Sequence, residues 1–489
     1  MQLTSDQVTI LWATIAFIID WVVRIIAIMV VPRNRKPTAG MAWLLAIFFI
    51  PFVGIILFLL IGNPKLPKAA RAKQARVNAF LRETNQDIEQ VTNVKRWPDW
   101  FAGLVNLNWT LGGLSIVGGN SAKLHHEYDE TIAAMAAAIE QATDYVHVQS
   151  YIFELDHTTQ HLFDALAAAV QRGVKVRLML DHIATVRSKG GKRTVKAFTD
   201  MGAEWSYMLP VQPLKGKYQR PDLRNHRKIM VIDGHLAFSG SLNIIDRSYN
   251  KKSNIKRGLK WVELVGEFRG PVVAELDAVF MVDWFLETGE VLPRASRQYD
   301  VPAQAENLDC QVLPSGPGFP NENNLKMFLS VIFGAREKVI LTSPYFVPDE
   351  SLMYAISSAT QRGVHVELFV SETGDQALVY HAQRSYYEAL LRAGVKIWMY
   401  KPPYILHSKH VSIDDDVAII GSSNMDIRSF ELNKESTVLV YGESFVSDMR
   451  KVEELYRENS RELTLDEWLQ QPLRSTTLDN LARLTSALQ

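Results

Sequence analysis

The sequence predicts an α/β protein: two duplicated domains with mixed, largely parallel sheets, preceded by a two-helix transmembrane hairpin. Three observations carry this. A polar motif occurs twice with fixed spacing, helical and strand-like runs alternate in both halves, and the first sixty residues hold two long apolar stretches.

The hairpin comes first in the chain. Val8–Val31 and Met41–Ile61 are each long enough to cross a membrane, since a spanning helix needs about 20 apolar residues. A cleaved leader does not fit, because no lysine or arginine precedes the first run and a second run follows it. Two other readings compete: a hairpin buried in a soluble core, and one that dips into a single leaflet, since Pro51 and Gly54 interrupt the second run. Asp20 and Arg24 stand one helical turn apart and can neutralise each other at depth. Trp12, Trp21 and Trp43 suit interfaces. The link carries Arg33, Arg35 and Lys36, and the stretch after the second run carries Lys65, Lys68, Arg71, Lys73 and Arg76. The positive-inside rule then places both ends, and the body, in the cytoplasm.

Residues 65–120 read as a helical linker followed by an irregular lead-in. Lys68–Gln90 suits a helix with a basic face for anionic headgroups or for solvent. Trp97, Trp100, Phe101 and Trp109 suit packing against the membrane or the body.

From Ser121 helix and strand patterns alternate. Tyr128–Ala142 is a helix, Tyr145–Phe153 a strand, Leu162–Val170 a helix and Val174–Leu180 a strand. The second half repeats this with Leu325–Ala335, Val339–Leu341, Leu352–Thr360 and Val364–Val370. Both second helices end on Gln-Arg-Gly-Val, at Gln171–Val174 and Gln361–Val364, where glycine stops the helix. Alternation implies parallel pairing, and duplication implies two domains, 121–300 and 301–489, divided near Arg294–Glu306.

The motif itself reads His226-x-Lys228-x4-Asp233, six residues, then Gly240-Ser241-x-Asn243. Its second copy is His407-x-Lys409-x4-Asp414, six residues, then Gly421-Ser422-x-Asn424. Strand-like surroundings put each histidine and its lysine on one face. An imidazole beside an ammonium suits a phosphate, with Ser241, Asn243, Ser422 and Asn424 as neutral donors. Two histidines suit a two-step displacement, one as nucleophile and one as acid and base. Glu263 and Glu435 follow the motifs on apolar runs and are candidates to hold the imidazoles. Asp233 and Asp414 complete the catalytic motif; at strand ends they suit a turn or domain contact rather than contact with substrate. Lysines supply the cations, so neither metal nor cofactor is expected.

Other features read as ordinary surface or turn chemistry. His157 and His161 lack a third ligand, His125 and His126 suit the surface, and Asp414–Asp416 suits a turn. A basic set, Arg187, Lys189, Lys192, Arg193, Lys215, Lys217, Arg220 and Arg224, suits either an anion collar or a solvated loop. Lysine plus arginine equals aspartate plus glutamate at 53 each, so charge names no partner. A single cysteine, Cys310, excludes an intramolecular disulfide and a thiolate zinc site.

These motifs resemble the phospholipase D superfamily. The hairpin with Arg33–Lys36, Met41–Leu45, Pro51 and Gly54 is similar to the anchor of bacterial cardiolipin synthases. Tyr151–Phe153, Leu223–Lys228, Ser315–Pro320, Thr342–Pro348 and Asn424–Ser429 are similar to their catalytic body. The resemblance implies two phospholipase D-like domains and transfer of a phosphatidyl group between two phosphatidylglycerol molecules, giving cardiolipin and glycerol through a phosphatidyl-histidine. It implies His226 as nucleophile and His407 as acid and base. It also implies a bacterial inner (cytoplasmic) membrane location, multi-pass, with anionic lipids and no nucleic acid as partners. The C-terminal segment Trp468–Leu488, with Leu473, Leu478, Leu481, Leu484 and Leu488, suits either a membrane-surface helix or packing on the body. The rival functions are a hydrolase releasing phosphatidic acid, a nuclease, a lipid-binding scaffold without catalysis, and use of phosphatidylethanolamine.

Overall fold

A computed structural model of the chain describes residues 4–33, 35–62, 73–74, 77, 96–212, 217–293, 307–319 and 322–484. Most of the expected basic helix 68–90, the divide at 294–306, Lys215 and Leu488 lie outside these residues. An N-terminal unit built on Met1–Lys65 and a larger body fold as separate compact units.

In the N-terminal unit, α1 (Ser5–Val30) opens with a capping box between Thr4 and Gln7. It is the one helix among the described residues long and apolar enough to span a membrane. Arg24 pairs with Asp20 at 2.7 Å inside it. The second apolar stretch departs from the expected single helix over 41–61. It forms α2 (Pro37–Phe49) and α3 (Pro51–Ile61), because the proline ring disfavours helical backbone at Ile50.

In the body, the first half contributes β1 (Val117–His125), β2 (Tyr145–Ser150), β3 (Lys175–Asp181), β4 (Glu204–Met208), β5 (Val211–Gln212), β6 (Lys217–Tyr218), β7 (Ile229–Ile232), β8 (Leu236–Gly240), β9 (Lys260–Val262) and β10 (Val265–Arg269). The second contributes β11 (Leu308–Ser315), β12 (Lys338–Thr342), β13 (His365–Ser371), β14 (Lys396–Tyr400), β15 (Tyr404–Leu406), β16 (His410–Ile413), β17 (Val417–Gly421), β18 (Glu435–Tyr441) and β19 (Ser460–Leu463).

Fifteen strands join one sheet in the order β19-β14-β13-β12-β16-β17-β18-β11-β1-β10-β8-β7-β2-β3-β4. Apart from β19, the order is a palindrome about the β11–β1 seam, so the duplicated sequence becomes a pseudo-twofold sheet. The expected mixed α/β class holds. Parallel pairing, however, is confined to β2–β3–β4 and β12–β13–β14, and the other neighbours in this sheet run antiparallel. Helices cross between the parallel strands, and the short turns after Ile232 and Ile413 make hairpins of β7–β8 and β16–β17, while the other antiparallel pairs join segments further apart in the chain.

Alternation along the central strands feeds two cores. Ile229 and Val231 face the helix Val272–Thr288, while Met230 and Ile232 face the helices Tyr128–Glu140 and Gln160–Gln171. The expected lead-in through residue 120 is not irregular where it is described. The helix Asp99–Gly112 buries Phe101 and Leu104, and Trp97 donates to Asp309 at 2.8 Å. Trp97, Trp100 and Phe101 therefore pack on the body, whereas Trp109 is exposed. The C-terminal segment also packs on the body, through buried Trp468 and Asp479, with Asp479 bound to His381 and Arg384. Its leucines Leu473, Leu478, Leu481 and Leu484 face outward.

The glycine of each motif is a packing requirement. A Cβ on Gly240 would lie 2.3 Å from Leu264 O, and one on Gly421 would lie 2.4 Å from Ser436 O. Gly240→Val forces β8 from β10 and should cost about 1–3 kcal/mol as an overpacked contact, read as a lower melting temperature in detergent.

Candidate active site

Each histidine sits where its chain changes partners. Asn225 forms a bridge with Lys434 of the other half, and four residues later β7 begins pairing within its own half. In the second copy β15 pairs with β9 of the first half, and β16 then returns to its own. The H-x-K triplets occupy these links, so the expected strand through each histidine is replaced by extended chain between two pairings. His226 N–H donates to Lys434 O at 2.9 Å, and His407 N–H donates to Val262 O at 2.7 Å.

The residue after each acceptor carbonyl is a glutamate, which fixes the central geometry. His226 Nδ1 is 3.0 Å from both carboxylate oxygens of Glu435. His407 Nδ1 is 2.8 and 2.9 Å from those of Glu263. Each histidine is thus held by the other half's carboxylate, and neither half alone completes a pair. With Nδ1 engaged, Nε2 is left for chemistry. Lys228 Nζ donates to His226 O at 2.8 Å, and Lys409 Nζ donates to His407 O at 2.6 Å. All six side chains are buried.

The serines serve the carboxylates and backbone rather than reaching for substrate, which corrects their expected part as phosphoryl donors. Ser422 Oγ donates to Glu435 at 2.6 Å, joined by Ser429 at 2.9 Å. Ser241 Oγ accepts from Leu264 N–H at 2.9 Å. Asn243 Nδ2 donates to Tyr249 O–H at 2.8 Å, and Tyr249 in turn donates to Glu263 at 3.3 Å. Asn424 is buried on the corresponding loop, next to Met425, whose N–H binds Ser343.

Asp233 and Asp414 are turn staples, as their positions at strand ends suggest. Asp233 accepts from the N–H groups of Thr143, Asp144 and Tyr145 and from the Thr143 hydroxyl, each at 2.8 Å. Asp414 accepts from the N–H groups of Arg336, Glu337 and Lys338. Both adopt positive φ, 50° and 46°.

Burial sets the electrostatics. Desolvation pulls His226 down to about 4, with Glu435 opposing and Lys228 assisting. It pulls His407 well below its ordinary value, helped by Lys409 and Lys228. Lys228 falls to about 7 and Lys409 to about 8, again chiefly through desolvation. The two glutamates diverge. Burial raises Glu263 to about 7. For Glu435 the same penalty is outweighed by His226, Lys228 and the Ser422 hydroxyl, so it stays below the usual carboxylate range.

Several functional neighbours were not singled out individually from the sequence. Tyr151 meets His226 edge-on with centroids 5.1 Å apart, and Tyr345 meets His407 likewise at 6.2 Å. Their signal was available: each tyrosine closely follows a matched strand, β2 or β12. A buried network behind the site joins the halves. Asp283 binds the Arg227 guanidinium, Lys434 Nζ at 2.8 Å and Gln149 Nε2 at 2.7 Å. Among the described members of the basic collar, three are engaged by the protein itself. Arg224 is buried on Asp181 at 3.1 Å, Arg193 binds Leu155 O, and Arg220 pairs with Asp222 at 2.9 Å. His125 is partly buried on Glu267 at 2.9 Å rather than lying free on the surface. His157 remains exposed beside Asp246, and Asp414–Asp416 is a turn. Among the described residues no three histidine, cysteine or acidic side chains converge to hold a metal ion.

A duplicated α/β body whose two histidines each cross to the other half's carboxylate, beside paired lysines, defines a site for phosphoryl-group transfer of the phospholipase D type. A family model described as "Cardiolipin synthase, PLD-like domain" matches residues 135–270 and 328–455, and one described as "Phospholipase_D-nuclease N-terminal" matches residues 12–63. Cardiolipin synthase A of Proteus mirabilis (strain HI4320) is 33% identical across 99% of this chain and 100% of its own. That of Yersinia pseudotuberculosis serotype IB (strain PB1/+) is 33% identical across 92% of each. A phosphatidylserine synthase structure from Haemophilus influenzae Rd KW20 shares the fold, with a TM-score of 0.62 at 14% identity over 80% of this chain and 100% of that one. The chain belongs to the cardiolipin synthase family of phospholipase D-like proteins. It is a membrane-associated enzyme of the phosphatidyltransfer type.

Asp283→Ala leaves Arg227 and Lys434 buried without their carboxylate and should destabilise the body by about 3–5 kcal/mol, measured by thermal unfolding. The site also predicts a bell-shaped kcat/KM. A nucleophilic His226 must be neutral, so its lowered value sets an acid limb at about 4. Lys228 must keep its proton, so its lowered value sets an alkaline limb at about 7. In Lys228→Arg the guanidinium stays charged, and the alkaline limb should move to about 8, where Lys409 titrates. A limb left at about 7 would assign that proton to Glu263.

Proposed function

We propose that the protein makes cardiolipin from two molecules of phosphatidylglycerol at the cytoplasmic face of a bacterial inner membrane. The carrying observation is the pair of crossed histidine–glutamate bonds, which leave two Nε2 atoms and two ammonium groups for one phosphodiester.

His226 is the nucleophile. Its Nδ1 faces Glu435, the carboxylate held ionised by serines and lysine, which raises the nucleophilicity of Nε2. Nε2 attacks phosphorus, and the bond from phosphorus to the glycerol oxygen breaks. His407 passes its Nε2 proton to that oxygen while the proton retained by Glu263 moves to His407 Nδ1, so the imidazole stays neutral and glycerol leaves. The phosphatidyl group then rests on His226. His407 next takes the proton from a glycerol hydroxyl of the second phosphatidylglycerol. The freed oxygen attacks phosphorus, the P–N bond breaks, and cardiolipin forms with His226 restored. Lys228 and Lys409 hold the non-bridging oxygens throughout, with a metal ion unnecessary for charge balance. Asp233 and Asp414 support the strand ends and do not touch substrate.

Full-length protein in mild detergent with phosphatidylglycerol and chelator should yield cardiolipin and an equal amount of glycerol. Phosphatidic acid alone would replace this reading with hydrolysis. Activity only with phosphatidylethanolamine present would replace the donor or acceptor. His226→Ala and His407→Ala should each lower turnover at least about a thousandfold, the scale of losing a nucleophile or its acid–base partner. A fully active variant of either would overturn the two-histidine scheme.

A further inference from the structure

We propose that α2–α3 is a re-entrant hairpin that docks into one leaflet of a lipid bilayer, so that the chain crosses the membrane once, through α1. The occupant of its apolar surface is the acyl region of that leaflet.

Length is the first argument. With 13 and 11 residues, α2 and α3 are about 20 and 17 Å long. A hydrocarbon core is about 30 Å thick. The 26 residues of α1 extend about 39 Å and suffice.

The second argument is that α2 and α3 double back. Trp43 midway along α2 and Phe58 in the second half of α3 meet edge-on, with centroids 5.5 Å apart. At the bend a Cβ on Gly54 would lie 2.6 Å from Ala46 O and 2.8 Å from Ile47 Cα, so glycine is what allows the two backbones to touch. A continuous helix would hold residues 46 and 54 about 12 Å apart.

The base of the hairpin is tied at one level. The Arg35 guanidinium donates to Gly62 O, just past the end of α3, at 2.7 and 3.1 Å, and to Val31 O, at the end of α1, at 2.5 Å. One side chain thus caps two helix C-termini, where a cation is favoured. The end of α1, the start of α2 and the end of α3 must then share one face of the membrane.

Depth follows from α1. The Arg24 guanidinium lies 5.2 Å from the centre of the Phe48 ring, next to the bend. Arg24 is seven residues before Val31, or about 10 Å along the helix. The bend therefore reaches the depth of one leaflet, alongside the Asp20–Arg24 pair. Its apolar tip is unshielded by protein, with Phe49 79% and Phe52 84% exposed. Basic residues agree. Arg33, Arg35 and Lys36 in the link fall on the same side as Lys65, Lys68, Arg71, Lys73 and Arg76, whereas two crossings would separate the two sets.

Single cysteines introduced into the full-length protein with Cys310 replaced by alanine test this in a bacterial host. A membrane-impermeant maleimide is applied to spheroplasts and to inverted vesicles, with Ser5→Cys, Pro32→Cys, Ile50→Cys and Lys451→Cys variants. Pro32→Cys and Lys451→Cys should label from one face and Ser5→Cys from the other. Ile50→Cys should label only after detergent is added. Ser5→Cys and Lys451→Cys labelling together, with Pro32→Cys on the opposite face, would show two crossings and overturn the proposal. Labelling of Ile50→Cys in intact membranes would overturn insertion of the tip. The pattern reads topology whether or not the protein turns over lipid, so this result and the product assay fail separately.

Discussion

The crossed bonds from His226 to Glu435 and from His407 to Glu263 are the constraint on which the rest of the body depends. A histidine used as a nucleophile needs its second nitrogen fixed by an acceptor. Placing that acceptor in the other half means neither domain is useful alone. The fold meets the demand with backbone. The stretch before each histidine pairs with the stretch before the opposite glutamate, at Asn225–Lys434 and at β15–β9. Side-chain geometry is thereby set by main-chain hydrogen bonds rather than by loops.

Around these bonds the same burial is answered by different partners in the two halves. Both imidazoles are kept neutral by desolvation and by neighbouring lysines. Glu435 has two serine hydroxyls and stays ionised, whereas Glu263, with a tyrosine among its partners, retains a proton more readily. A pseudo-symmetric scaffold thus carries an asymmetric pair. Asp283 secures the arrangement from behind by holding Arg227 and Lys434, the residues adjoining His226 and Glu435.

Much of this was legible in the sequence. The two motifs named the histidines, lysines and aspartates. The carboxylate-for-imidazole requirement found Glu263 and Glu435, and strand-end position read Asp233 and Asp414 as turn residues. Helix and strand periods located the paired repeats because their apolar faces are buried on one side of a regular element. Where reading failed, distant residues were responsible. The serines were taken for phosphate donors because spacing gives proximity, not direction, and Ser422 turns to Glu435 instead. Antiparallel neighbours outnumber parallel ones because most of them join segments far apart in the chain, such as β2 with β7 and β12 with β16. The second apolar stretch divides at Ile50, since hydropathy registers length but not a bend.

The sequence by itself determined the two histidine–lysine pairs and their candidate carboxylates, their occurrence in two copies, and the apolar stretch that precedes them. These are properties of residue type and spacing, which survive in one dimension. The tertiary structure decided pairing across the halves, the unequal settings of the two glutamates and the folding back of α2 on α3. Each depends on contacts between residues far apart in the chain or on the direction of a bend, and local patterns carry neither.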